Sequence, residues 1–116
     1  MFNVSLYISI EFSTKFINLV KKLKENKENI ISNQIGRSGA SIGANINEAQ
    51  YGNSKADFIS KLHIALKETS ETKYWLILLN KSNSINDDEY KVLESDCEKI
   101  KAMLIKSLKQ QRRMMM

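Results

Sequence analysis

Proline is absent from this 116-residue chain, and cysteine, histidine and tryptophan occur once each. Each shortage excludes something. Without proline nothing forces a break in the backbone, which favours long uninterrupted helices. A single cysteine, Cys97, cannot close an internal disulfide, so the reducing cytoplasm is the expected location. One histidine, His63, one cysteine and no acid cluster of ligand spacing do not make a metal site. "NDDE" at 86–89 has acids but neither the glycine nor the spacing of a calcium loop. No run of about 18 apolar residues is present, so no membrane span is expected. The start, "MFNVSLYISIEFSTKF", has no basic stretch before its apolar residues and carries Glu11, which makes a poor signal peptide. What is there is ordinary for one globular domain: 42% hydrophobic and 27% charged residues.

The formal net charge of +5 is unevenly spread. Residues 15–27 carry five lysines and one acid, residues 28–98 carry seven basic and eleven acidic groups, and residues 99–116 carry six basic groups and no acid. Basic charge therefore sits near both ends of the chain, an asymmetry that suits a polyanionic partner such as RNA or DNA. Lys21, Lys22 and Lys24 in the first cluster and Lys99, Lys101, Lys106 and Lys109 in the second are the candidate phosphate contacts. The competing explanation is a solvated face with a basic tail.

Four segments repeat apolar residues at helical spacing. Ile8, Phe12, Phe16, Leu19 and Leu23 form the first stripe, broken by "KENKEN". From about Glu28 to Tyr51, Ile31, Ile35, Ser38, Ile42, Ile46 and Ala49 form the second. After "YGNSKADF", where Gly52 suits a position just past a helix end and Ser54 an N-cap, a third stripe runs through Phe58, Leu62, Ala65, Thr69, Thr72, Leu76 and Leu79. Asn86 is the expected N-cap of a fourth helix, with acids at the next three positions. Ile85 and Tyr90 are spaced as a hydrophobic staple, and Leu93, Cys97, Ile100, Leu104 and Leu108 continue the face. The expected architecture is all-α, an up-down-up-down antiparallel four-helix bundle over residues 1–111. "RRMMM", 112–116, lies outside the periodicity and reads as a disordered basic, methionine-rich tail.

The second segment poses a question. "GRSGASIGANINEAQ" places Gly36, Gly39 and Gly43 within eight residues of an otherwise helical pattern, at about 1 kcal/mol each relative to alanine. "GASIG" matches the G-x-S-x-G nucleophile elbow, but that motif needs a strand before it and a triad histidine, and this chain offers neither a strand nor more than His63. The lysine of a phosphate-binding loop is missing. "IGRSGASI" resembles the backbone clamp of a KH domain, yet helical pattern rather than strands follows it. Packing remains: small residues allow two backbones to approach closely, inside one bundle or between subunits. Gly36, Arg37, Gly39, Ser41, Gly43, Asn45 and Glu48 are the candidate packing and assembly residues.

"QIGRSGASIGANINEAQYGNSKADFISKLHIALKETSETKYWLILL", residues 34–79, closely resembles the hallmark region of the 23S rRNA intervening-sequence proteins, small bacterial four-helix bundle proteins. The matching elements are Arg37-Ser38, Ser41-Ile42-Gly43-Ala44-Asn45, Glu48-Ala49, Ser54-Lys55, Asp57-Phe58, the Ala65-Leu66-Lys67-Glu68 run, Glu71-Thr72 and Tyr74-Trp75-Leu76. The resemblance implies an up-down bundle that assembles as a ring-like homopentamer with a central channel, without enzymatic activity or cofactor. Some members are encoded within insertions in 23S rRNA genes. A related member, the accessory protein of diversity-generating retroelements, binds nucleic acid and a reverse transcriptase. The functional expectation is therefore a non-enzymatic, self-assembling bundle that presents a basic surface to RNA or DNA. Its rival is an oligomeric protein-binding module, with a reverse transcriptase or another protein as partner and no nucleic-acid role.

Overall fold

The computed structural model describes the backbone of residues 2–115 and the side chains of residues 6–113. Four helices follow in order, α1 (Phe2–Glu25), α2 (Asn29–Gln50), α3 (Lys55–Lys81) and α4 (Asp87–Met115), and there is no strand among the described residues. Consecutive helices run antiparallel. Each packs on its chain neighbours, and α4 returns beside α1, closing a four-helix bundle of 49 × 22 × 19 Å.

The helix ends follow from local chemistry. The Ser54 hydroxyl accepts from the amide of Asp57 at 3.1 Å, and Asn86 Oδ1 accepts from the amide of Glu89 at 2.8 Å. α1 and α3 both end in Schellman turns. The amide of Glu28 donates to the carbonyl of Leu23 at 2.8 Å, and that of Ser84 to the carbonyl of Leu79 at 2.8 Å. The residues that turn left-handed there are Lys27 (φ 63°) and Asn83 (φ 62°), not glycines. Gly52 does stand just past α2, but its φ is not positive. A side chain at Gly52 would approach Asp57 Oδ2 to 3.0 Å and the Ala49 carbonyl oxygen to 3.3 Å, so crowding explains this glycine.

The core takes one stripe from each helix, including Phe12, Phe16, Leu19 and Leu23 from α1 and Ile35, Ile42 and Ile46 from α2. At two places the interior selects serine over the adjacent isoleucine. Ser9 and Ser32 are buried, while Ile8 and Ile31 are only half-buried. Their hydroxyls donate to the carbonyls of Leu6 and Asn29, which removes the cost of burying them. α4 stays helical to Met115, four residues past the boundary read from the sequence. Gln, Arg and Met are good helix formers and need no core contact to continue an established helix. Met116 lies outside the described residues.

The glycine stripe faces α1. Gly39 lies on the ring of Phe16: a Cβ there would fall 2.4 Å from the ring. Gly43 approaches Ser13, with Oγ 3.0 Å from a Cβ position, and Gly36 faces Val20 at 3.6 Å. The ring of Phe16 is buried, so moving it aside would disturb the core packed around it. Gly39→Ala is therefore expected to lose about 1–3 kcal/mol through overpacking despite its gain in helix propensity. Gly36→Ala, with room for a methyl group, is expected to gain up to about 1 kcal/mol. Urea denaturation midpoints of the two variants check this pair of opposite signs.

Candidate functional site

The candidate lysines and their basic neighbours on α1 and α4 fall into three environments. On α1, Lys15 and Lys22 turn toward α4 and are spent within the chain: Lys15 Nζ lies 2.9 Å from Asp96, and Lys22 Nζ lies 2.7 Å from Glu89. Lys21 and Lys24 turn the other way and stand at one end of a groove between α1 and α2. Neither has a carboxylate partner among the described residues.

That groove is an open cavity of about 740 Å³. Ile10, Ile17 and Val20 wall it on α1, and Gly39, Ala40 and Gly43 form its floor and far side on α2. Ile10 and Ile17 are 57% and 56% exposed although both are large and apolar. The small residues that let α1 approach α2 also leave the hollow above the contact.

The third environment is the outer face of α4. Lys99, Lys106, Lys109 and Arg113 are exposed and fall at intervals of seven, three and four residues, so they share one side of the helix. They span about 21 Å at ~1.5 Å per residue. None of the four pairs with a carboxylate among the described residues. A shallow depression of about 440 Å³ bordered by Lys106, Lys109 and Arg113 runs along the same face. Lys101 points aside and is half-buried. The seven candidate lysines thus do not form one surface. The structure brings Lys99, Lys106 and Lys109 together, adds Arg113 to them, sets Lys21 and Lys24 on another side of the bundle, and pairs Lys22 internally. Arg113 lay in the segment read as a tail, and only the continuation of the helix aligns it with the lysines.

Arg37, Ser41, Asn45 and Glu48 occupy the opposite edge of α2 from the glycines, along the α2–α3 seam. Arg37 bridges two carboxylates of α3, with Nη1 3.4 Å from Glu68 and Nη2 in contact with Glu71. Glu48 faces Lys61 at 3.4 Å. Asn45 Nδ2 donates to the carbonyl and the hydroxyl of Ser41, at 2.8 and 3.0 Å. Deeper in, Thr72 donates to Ser38 Oγ at 2.9 Å. Arg37, Ser38 and Glu48 therefore tie α2 to α3, Asn45 bonds back to Ser41 within α2, and the glycines of the motif admit α1.

Among the described residues no three histidine, cysteine or acidic side chains converge on a metal-sized space, and no helix is long and apolar enough to cross a membrane. Ser41, on α2, is engaged by Asn45, and His63 stands exposed on α3. Cys97 is buried in the core, where loss of hydration pushes its thiol up to about 12. Between α3 and α4, the hydrogen bond from Lys73 lowers the Glu98 carboxyl below its usual value, and the same bond raises Lys73.

Among the described residues the helical bundle presents a basic helix face without carboxylate partners and an open apolar groove, a class defined by its surfaces. The chain belongs to the 23S rRNA-intervening sequence protein family, whose model matches residues 6–106. It is also similar to the crystal structure of a protein of unknown function from the S23 ribosomal protein family of Bacteroides thetaiotaomicron VPI-5482. The two are 47% identical, with a TM-score of 0.88, over 90% of this chain and 98% of that one. No curated protein matches the chain.

The buried thiol makes a pH prediction. In the unfolded chain Cys97 ionises near its ordinary value of about 8.5, whereas in the fold it stays neutral to about 12. Its contribution to stability is complete below pH ~8.5 and is lost as pH rises toward the folded value, by about 1.4 kcal/mol per pH unit. Denaturation at pH 8, 9.5 and 10.5 is expected to show a steeper alkaline loss for the wild type than for Cys97→Ala. A thiol reagent is expected to react with native protein only as fast as the bundle opens.

Proposed function

We propose that this protein is a non-enzymatic, self-assembling four-helix bundle, a homopentamer, that binds RNA or DNA through the outer face of α4. The observation that carries the reading is the row Lys99, Lys106, Lys109 and Arg113, exposed, unpaired and free of acids from residue 99 onward. A helix face of this kind meets phosphates as point charges and reads no base edges, so binding is sequence-independent and driven by counterion release. Five copies on one particle would multiply weak contacts by avidity. Membership of a family named for an insertion in 23S rRNA agrees with a polyanionic partner without specifying one.

Fluorescence anisotropy with an RNA hairpin and a DNA duplex tests the reading. Binding is expected at low salt, falling as salt rises with a log–log slope of about −3 to −4 per engaged subunit. Replacing Lys99, Lys106, Lys109 and Arg113 with Glu is expected to weaken it at least tenfold without unfolding the bundle. Replacing Lys21, Lys22 and Lys24 with Glu is expected to change it little beyond any effect on assembly. Failure of both ligands to bind at low salt would leave the protein-binding module as the function.

A further inference from the structure

The monomer leaves two different apolar faces open. One is the concave α1/α2 groove, with Ile10 and Ile17 exposed and Lys21 and Lys24 at its end. The other is convex. α3 carries apolar side chains around much of its circumference, leaving Ile64 39% and Tyr74 54% exposed. Ile64, Glu71 and Leu78 recur every seventh residue on that side, next to the α2–α3 seam. At Glu71 the single charge of Arg37 is already divided between two carboxylates.

The two faces match in height. Phe16 lies beside Gly39 and Val20 beside Gly36, while Ser38 is bonded to Thr72. Stepping from α1 through α2 to α3 therefore puts Ile10 level with Ile64, Ile17 with Glu71 and Lys24 with Leu78, to within about one residue's rise of ~1.5 Å. Rotation about an axis parallel to the bundle keeps every residue at its own height. A neighbouring copy brought in this way offers isoleucine to isoleucine at one end. It sets Glu71 within one turn of Lys21, and Tyr74 beside the same lysine.

Resting on the self-assembly proposed above, we infer that copies join head to tail, with the Ile64–Glu71–Tyr74 ridge of one α3 seated in the α1/α2 groove of the next. The occupant is a second copy because the ridge supplies both the apolar side chains and the carboxylate that the groove lacks. Two unlike faces make a heterologous contact, which closes into a ring when the rotation allows. Both faces border α2, so the contacts turn about α2 and leave the basic face of α4 on the outside of the ring.

Disulfide trapping tests this, since the native thiol of Cys97 is buried. The double variant Ile10→Cys/Ile64→Cys, gently oxidised, is expected to give a ladder in steps of the 13.3 kDa monomer on a non-reducing denaturing gel, ending at the closed ring. Either single variant is expected to give monomer alone. A single monomer band from the double variant, while light scattering of the same sample shows an oligomer, overturns this pairing of faces and leaves self-assembly standing. A monomer by light scattering for both wild type and variant overturns both. If the cysteines lower the assembled mass on their own, charge exchange decides. Lys21→Glu with Lys24→Glu is then expected to at least halve the mass, and adding Glu71→Lys to restore it. Absence of restoration overturns the inference.

Discussion

The contact of Gly39 with the ring of Phe16 sets how near α1 lies to α2, and much of the surface depends on it. No residue larger than glycine fits at that point without displacing a buried aromatic ring. Because the approach is close, Phe16 reaches the core, and Ser13 and Val20 come against Gly43 and Gly36. Small side chains on α2 also leave the space above the contact unfilled. The same substitution of side chain by hydrogen that packs two helices thereby opens a hollow beside them.

α2 has a different relation to α3. There the seam is polar and specific, with Arg37 between Glu68 and Glu71, Glu48 opposite Lys61, and Thr72 on Ser38. Exposed ion pairs of this kind add little stability each. Hydrogen-bonded polar groups near the interior instead penalise any shift of register, because a slipped helix would leave them unpaired. One helix thus carries three edges. It buries isoleucines in the core, meets α1 through glycines and locks α3 through polar side chains.

Charge is partitioned by the same geometry. The α1–α4 seam consumes Lys15 and Lys22 in pairs with Asp96 and Glu89. Past Glu98 the chain has no acid to offer, and among the described residues Lys99, Lys106, Lys109 and Arg113 have no carboxylate partner. The result is a bundle with a row of cations along the outer face of α4 and a separate pair, Lys21 and Lys24, beside the α1/α2 groove.

The four helices, their antiparallel order and most of the core could be read directly from the sequence. Apolar residues at spacings of three and four leave little choice of buried face, and Ser54 and Asn86 are caps that act within their own helix turn. Local periodicity could not choose between neighbours such as Ile8 and Ser9, since both lie near the buried arc. Tertiary packing chose serine, whose hydroxyl finds a carbonyl one turn back. The direction each lysine faces was also beyond the sequence, because Lys21 and Lys22 are adjacent in the chain but separated by about 100° around the helix. Only the placement of α4 beside α1 decides that one finds a carboxylate and the other looks into a groove. The glycines were recognisable as a stripe of close approach, but which helix they admit is a property of the assembled bundle. Spacing within a helix is set by that helix alone, whereas partners depend on what the other three bring beside it.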